Sequence, residues 1–157
     1  MNAVTGIGPR TGTSWVMGQL FKAGLPIQGY KFLPQYLVPE HNPDGYWELD
    51  PKEPIPTKGI VKLWNIWDKP AVNKVVLLKR EDTKAQLASI TKVLKDEAKL
   101  PNLSFLEKHN AKDILSYYVR STDRWLETRD PTKTMLVYTE TLNNKIDEII
   151  QFFKEDN

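Results

Sequence analysis

The stretch GIGPRTGTSWV, Gly6 to Val16, decides the fold, because it joins an apolar run to a helical pattern through a turn dense in glycine and hydroxyl groups. The run before it, NAVTGI, reads as a short strand. In TSWVMGQLFKAG after it, Trp15, Val16, Leu20 and Phe21 recur at helical spacing. Thr13 or Ser14 is expected as the N-cap, and Gly24 followed by Pro26 ends the helix. In a turn of this kind successive backbone N–H groups form a nest for an anion, and the helix adds its positive end. The bland alternative is a strand-to-helix turn with a good cap, which needs neither Arg10 nor so many hydroxyl groups.

Working outward, Leu25 to Lys58 is rich in Pro, Gly and Asn, which predicts an irregular insert at about residues 25–58 with a brief extended piece at GYWEL after the turn NPDG. GIVKLWNIW and KVVLLKR read as central strands, the second apolar enough to be buried on both faces of a parallel sheet. EDTKAQLASITKVLKDEAKL is a helix with acidic residues in its first turn, stopped by Pro101. NAKDILSYYVRSTDRWLETRD is a second long helix with an apolar side of Ile114, Leu115, Tyr118, Trp125 and Leu126. TMLVYTE is a further strand and NKIDEIIQFFKED a closing helix. Strands alternating with helices predict an α/β fold with a mostly parallel central sheet flanked by helices, as one domain over residues 1–157.

Composition narrows the chemistry. A net charge of +2, with 27% charged residues, gives no broad basic field, so no nucleic-acid partner is expected and an anion must be held by a local site. With no cysteine there are no disulfides, thiolate metal sites or thiol nucleophiles. No cleavable leader and no run of about 18 apolar residues is seen, which leads to the expectation of a soluble cytoplasmic protein with no membrane partner. The two histidines, His41 and His109, are far apart, so neither a Ser/His/Asp triad nor a metal site is expected, and His109 reads as a loop residue. Oligomeric state is not legible, since the amphipathic helices suit a core or a dimer contact equally.

A nucleotide-binding P-loop would close with Gly-Lys-Ser/Thr, its lysine on the outer phosphates and its hydroxyl on magnesium. Here the tail is Gly12-Thr13-Ser14 and the nearby cation is Arg10, inside the loop, where a guanidinium suits multidentate contact with oxyanions. PRTGTSW, Pro9 to Trp15, resembles the 5′-phosphosulfate loop of the sulfotransferases. That resemblance implies a three-layer P-loop NTPase-like fold and 3′-phosphoadenosine 5′-phosphosulfate (PAPS) as co-substrate, without a metal. It implies that Pro9, Arg10, Thr11, Gly12, Thr13, Ser14 and Trp15 form the cofactor loop, with Arg10 stabilising charge on the bridging oxygen as the sulfuryl group leaves. A second motif, VVLLKREDTKAQLASI, is similar to the family's strand-end arginine and later serine, which implies that Arg80 and Ser89 grip the 3′-phosphate. GIVKLW resembles the strand that brings a lysine to the site, which makes Lys62 a candidate contact to the sulfuryl oxygens. MLVYTETLNN resembles a late strand and turn in which Tyr138 and Glu140 are structural. Family members are usually longer, and their Gly-rich C-terminal loop has no match here, so the adenine is expected to stack on Trp15 or Trp64.

Transfer to a hydroxyl or amine needs a base within hydrogen-bond reach of the acceptor. In PEHNPDGYWE, similar to a segment of sulfotransferase-like proteins, Glu48 is the favoured base, with Glu40 and His41 in reserve; turn chemistry alone would make Glu48 a surface carboxylate. Tyr46, Trp47, Trp64 and Trp67 suggest flat apolar walls suited to a sugar ring or an aromatic alcohol. Two other readings stay open: a P-loop nucleotide kinase or NTPase, and a non-catalytic nucleotide-binding or scaffold homologue.

Overall fold

Short aliphatic runs whose side chains are apolar on both sides form a parallel sheet that helices cover from two faces. The computed structural model describes residues 1–8, 10–33, 43–50, 52–63, 72–97 and 110–155. Its strands are β1 (Asn2–Gly6), β2 (Ile60–Leu63), β3 (Val75–Lys79) and β4 (Thr134–Tyr138). All pair in parallel, in the order β2-β1-β3-β4. The helices are α1 (Thr13–Lys22), α2 (Thr83–Glu97), α3 (Ala111–Glu127) and α4 (Leu142–Lys154).

Alternation along the strands divides the core. Val4, Val76, Leu78 and Val137 pack with Val16, Met17 and Leu20 of α1 and Ile149 and Phe153 of α4. Ala3, Val61, Leu63, Val75 and Leu77 line the opposite face, where Trp125 of α3 packs. Ile90, Ala111 and Leu115 join α2 to α3. Lys62 breaks the pattern: paired with Val4, it faces the α1 side at the C-terminal end of β2, a charged residue in a row of aliphatic ones.

The helix ends carry their own chemistry. Gly12, not Thr13 or Ser14, is the N-cap of α1, with φ 96 and no side-chain cap. The chain must turn through the left-handed region there, which glycine does without strain, and a Cβ would stand 2.8 Å from Leu142 Cδ1. At the other end the Gly24 N–H donates to the Phe21 carbonyl and the Leu25 N–H to the Leu20 carbonyl, a Schellman closure with Gly24 at φ 79. Glu81 and Asp82 lie just ahead of α2 instead of inside its first turn, and the Asp82 carboxylate accepts from the Ala85 N–H at 2.9 Å as the cap. The expected stop at Pro101 lies outside the described residues. Asn110 caps α3 by accepting from the Asp113 N–H. Buried Lys74 donates to the carbonyls of Phe152, at 2.6 Å, and Glu155, supplying positive charge where the α4 dipole is negative. Among the described residues no helix is long and apolar enough to cross a membrane.

Because the strands are parallel, their C-terminal ends share one edge. The chain leaves β1 toward β2 and leaves β3 toward β4, in opposite directions, so a crevice opens at the ends of β1 and β3. Both sequence motifs lie there.

Candidate functional site

The loop after β1 is held from beneath. Gly8 (φ 82), Arg10 (φ 64) and Gly12 (φ 96) all adopt left-handed backbone. At Arg10 this is uncommon for a residue with a Cβ and stores local strain, a feature that clusters at ligand clamps. A Cβ at Gly8 would meet Leu115 Cδ1 at 2.6 Å and Gln86 Nε2 at 3.0 Å. The Gln86 amide donates to the Ile7 carbonyl at 3.1 Å, and the Ile7 N–H donates to the Leu78 carbonyl at 2.8 Å. The Thr11 side chain is fully buried in the space that a Cβ on Gly6 would occupy, and among the described residues its hydroxyl has no hydrogen-bond partner. Thr11 therefore offers a ligand its backbone, not its hydroxyl.

The two motifs meet above this loop. Arg10 Nε donates to Ser89 Oγ at 3.0 Å, and Arg80 Nη1 donates to the Arg10 carbonyl at 3.1 Å. Arg80 leaves the end of β3 and Ser89 stands on α2, so elements far apart in sequence bring two guanidinium groups and a hydroxyl together. Two cationic side chains anchored at one loop favour an anionic ligand there. Nearby, the Glu140 carboxylate accepts from the N–H of Glu81 (2.8 and 3.2 Å to its two oxygens) and of Asp82 (3.1 Å). Against the desolvation that raises its pKa, the N–H groups of Asp82, Glu140 itself and Glu81, with the charge of Arg80, hold this carboxyl below the usual range.

A second group assembles on the α1 side. The Lys62 ammonium donates to Ser14 Oγ at 3.1 Å and ion-pairs with Glu48, and all three residues are buried. Lys62 also lies over the Tyr46 ring, 5.7 Å from its centroid. Glu48 is thus a buried, paired carboxylate, not the surface group that turn chemistry alone allows. The backbone explains how it gets there. Tyr46, Trp47 and Glu48 are only 5%, 7% and 7% exposed, whereas an extended strand would turn alternate side chains outward. Trp47 is left-handed at φ 60, which breaks the alternation. The ribbon is fixed by the Tyr30 N–H on the Glu48 carbonyl (2.9 Å) and the Tyr46 N–H on the Lys31 carbonyl (2.8 Å). The Trp47 ring packs on Phe21, with centroids 4.8 Å apart. Burial pushes the Tyr118 hydroxyl pKa up, and the charges of Tyr117 and Glu48 add to it; the Tyr118 Cβ stands 3.9 Å from where a Cβ on Gly8 would lie.

Of the residues singled out from sequence, Arg10, Arg80 and Ser89 converge, as do Ser14, Lys62 and Glu48. Thr11, Gly12 and Thr13 form the turn between the two groups. Trp15 is half-buried and packed against the core. Pro9, Glu40, His41, Trp64, Trp67 and His109 lie outside the described residues. The sequence assigns Gln86, within the second motif, no contact with the loop, and it does not single out Thr139, whose hydroxyl donates to the Thr11 carbonyl at 2.7 Å. Thr139 directly follows a parallel strand at its C-terminal end, the edge where ligands bind in open α/β sheets, and that position was its signal. No family model, curated protein or solved structure matches the chain.

Proposed function

We propose that the chain is a sulfotransferase-like enzyme on a three-layer, P-loop NTPase-like α/β fold, transferring a sulfuryl group from PAPS to a hydroxyl or amine acceptor. The observation that carries the reading is the convergence of Arg10, Arg80 and Ser89 from two separate motifs onto one crevice. The residues present suit the donor. The nest from Arg10 to Thr13 and the N-terminus of α1 would hold the 5′-phosphosulfate, and Arg80 with Ser89 would hold the 3′-phosphate.

The chemistry follows from the second group. Glu48 takes the proton of the acceptor as the acceptor oxygen or nitrogen bonds to sulfur. The bond from sulfur to the bridging oxygen breaks, and the electron pair leaves with 3′-phosphoadenosine 5′-phosphate (PAP). Lys62 turns its ammonium from Glu48 toward the sulfuryl oxygens, which frees the carboxylate to act as base. Arg10, released from Ser89 as the 3′-phosphate takes that hydroxyl, neutralises the charge growing on the bridging oxygen. Tyr46, whose ring lies under the Lys62 ammonium, supplies a flat wall beside the base, suited to a sugar or phenol.

A second reading has one observation in its favour. The Lys62 ammonium stands at Ser14, at the start of α1, and could replace in space the lysine a nucleotide P-loop carries in sequence. Calorimetric titration separates the two. The sulfotransferase reading expects saturable binding of PAP without magnesium and little or none of ATP with magnesium; the reverse preference, or no binding of PAP at high micromolar protein, overturns it.

A further inference from the structure

The turn after β4 touches both halves of the donor grip. Thr139 Oγ1 donates to the Thr11 carbonyl at 2.7 Å, and Leu142 supports Gly12, so this end of the turn fixes the phosphosulfate loop. One residue on, the Glu140 carboxylate holds the N–H groups of Glu81 and Asp82. These two residues alone separate Arg80 from α2, which carries Ser89. The helix does not need Glu140 as its cap, because the Asp82 carboxylate already takes the Ala85 N–H. An exposed carboxylate so placed is also a poor partner for a phosphate, since like charges repel. What remains is a positional effect: Glu140 sets the direction in which Arg80 leaves β3 relative to Ser89.

Resting on the donor assignment above, we infer that Thr139 and Glu140 are positioning residues that divide one task, Thr139 shaping the 5′-anion loop and Glu140 the 3′-phosphate pair. Arg80 closes the circuit by donating to the Arg10 carbonyl, so the spacing between the two anion sites is fixed by side chains from a third segment.

The test compares two probes, PAP and adenosine 5′-monophosphate, which differ only in the 3′-phosphate. If the wild-type protein does not bind PAP more tightly than the monophosphate, the donor assignment itself fails. Given that preference, Glu140→Ala should cut the ratio of the two affinities at least about fivefold, the worth of about one charge-assisted hydrogen bond, while the monophosphate affinity stays within about twofold. Thr139→Val should weaken both probes by the same factor, and Thr139→Ser, which keeps the hydroxyl, should restore them. Should Glu140→Ala fail to fold, Glu140→Gln, whose amide oxygen can still accept from one N–H, should give an intermediate ratio. An unchanged ratio in the Glu140 variants, an equal loss of both probes on changing Glu140, or a Thr139→Val effect confined to PAP would each overturn the inference.

Discussion

The two groups at the sheet edge differ in how they hold charge. Arg10 and Arg80 are half-buried, bonded to a hydroxyl and a backbone carbonyl, and a guanidinium is a planar cation suited to multidentate contact with oxyanions. Lys62 and Glu48 are buried and ion-paired, so removing either leaves the other without its partner. The first arrangement suits a ligand that brings its own permanent negative charge. The second suits a step in which a proton moves and a pair must come apart. Under the proposed function, the difference separates the side that would bind the donor from the side that would do the chemistry.

The largest expected effect breaks the second group alone. Glu48→Gln should lower sulfuryl transfer at least about a hundredfold, the usual contribution of a positioned base, while leaving PAP affinity nearly unchanged. A radiolabelled-sulfate transfer assay across sugar and phenol acceptors reads the first, and calorimetry the second. Equal losses in both would erase the distinction between the two groups.

Stability comes next. Lys62→Met strands a buried carboxylate and should cost about 3–5 kcal/mol in urea unfolding, whereas Lys62→Met with Glu48→Gln should recover most of that loss. No recovery would mean that the two residues do not act as a pair. In the first group Ser89→Ala should weaken PAP only several-fold, the worth of about one hydrogen bond, with stability little changed.

The fold and the two groups were unequally legible. NAVTGI and KVVLLKR read as strands because aliphatic runs between turn signals leave few alternatives, and the four helices emerged where apolar spacing was regular. The arginine group was legible because each motif is local: Arg10 sits in its turn and Arg80 at its strand end. That their side chains meet through Ser89 is a consequence of sheet order, which no local pattern contains. The Lys62 and Glu48 group was harder to read. Glu48 lies in a Pro-rich stretch where turn chemistry accounts for the composition, and its burial depends on the left-handed Trp47, a conformation that propensity disfavours for an aromatic residue. The N-cap of α1 was misplaced for a similar reason: hydroxyl residues attract the assignment, while the turn geometry demanded Gly12.

The smallest effect concerns pH. The Glu140 carboxyl is held low in the folded state, so the stability it contributes is present above the ordinary carboxylate range and is lost as pH falls through its folded pKa. Glu140→Gln should therefore lower the melting temperature slightly at neutral pH, where the charged carboxylate contributes, and converge with the wild type in acid, which flattens the acid limb of the profile. A loss as large in acid as at neutral pH would contradict that assignment of charge.

The central claim is that segments joined only by folding make one site for a doubly anionic nucleotide. The most direct measurement is the ratio of affinities for PAP and adenosine 5′-monophosphate in wild-type and Arg80→Ala protein. The account predicts a clear preference for PAP in the wild type, reduced by about tenfold or more in the variant through loss of a charged contact to the 3′-phosphate, with the monophosphate little affected. Equal affinities in the wild type, or a preference that survives the loss of Arg80, would contradict it.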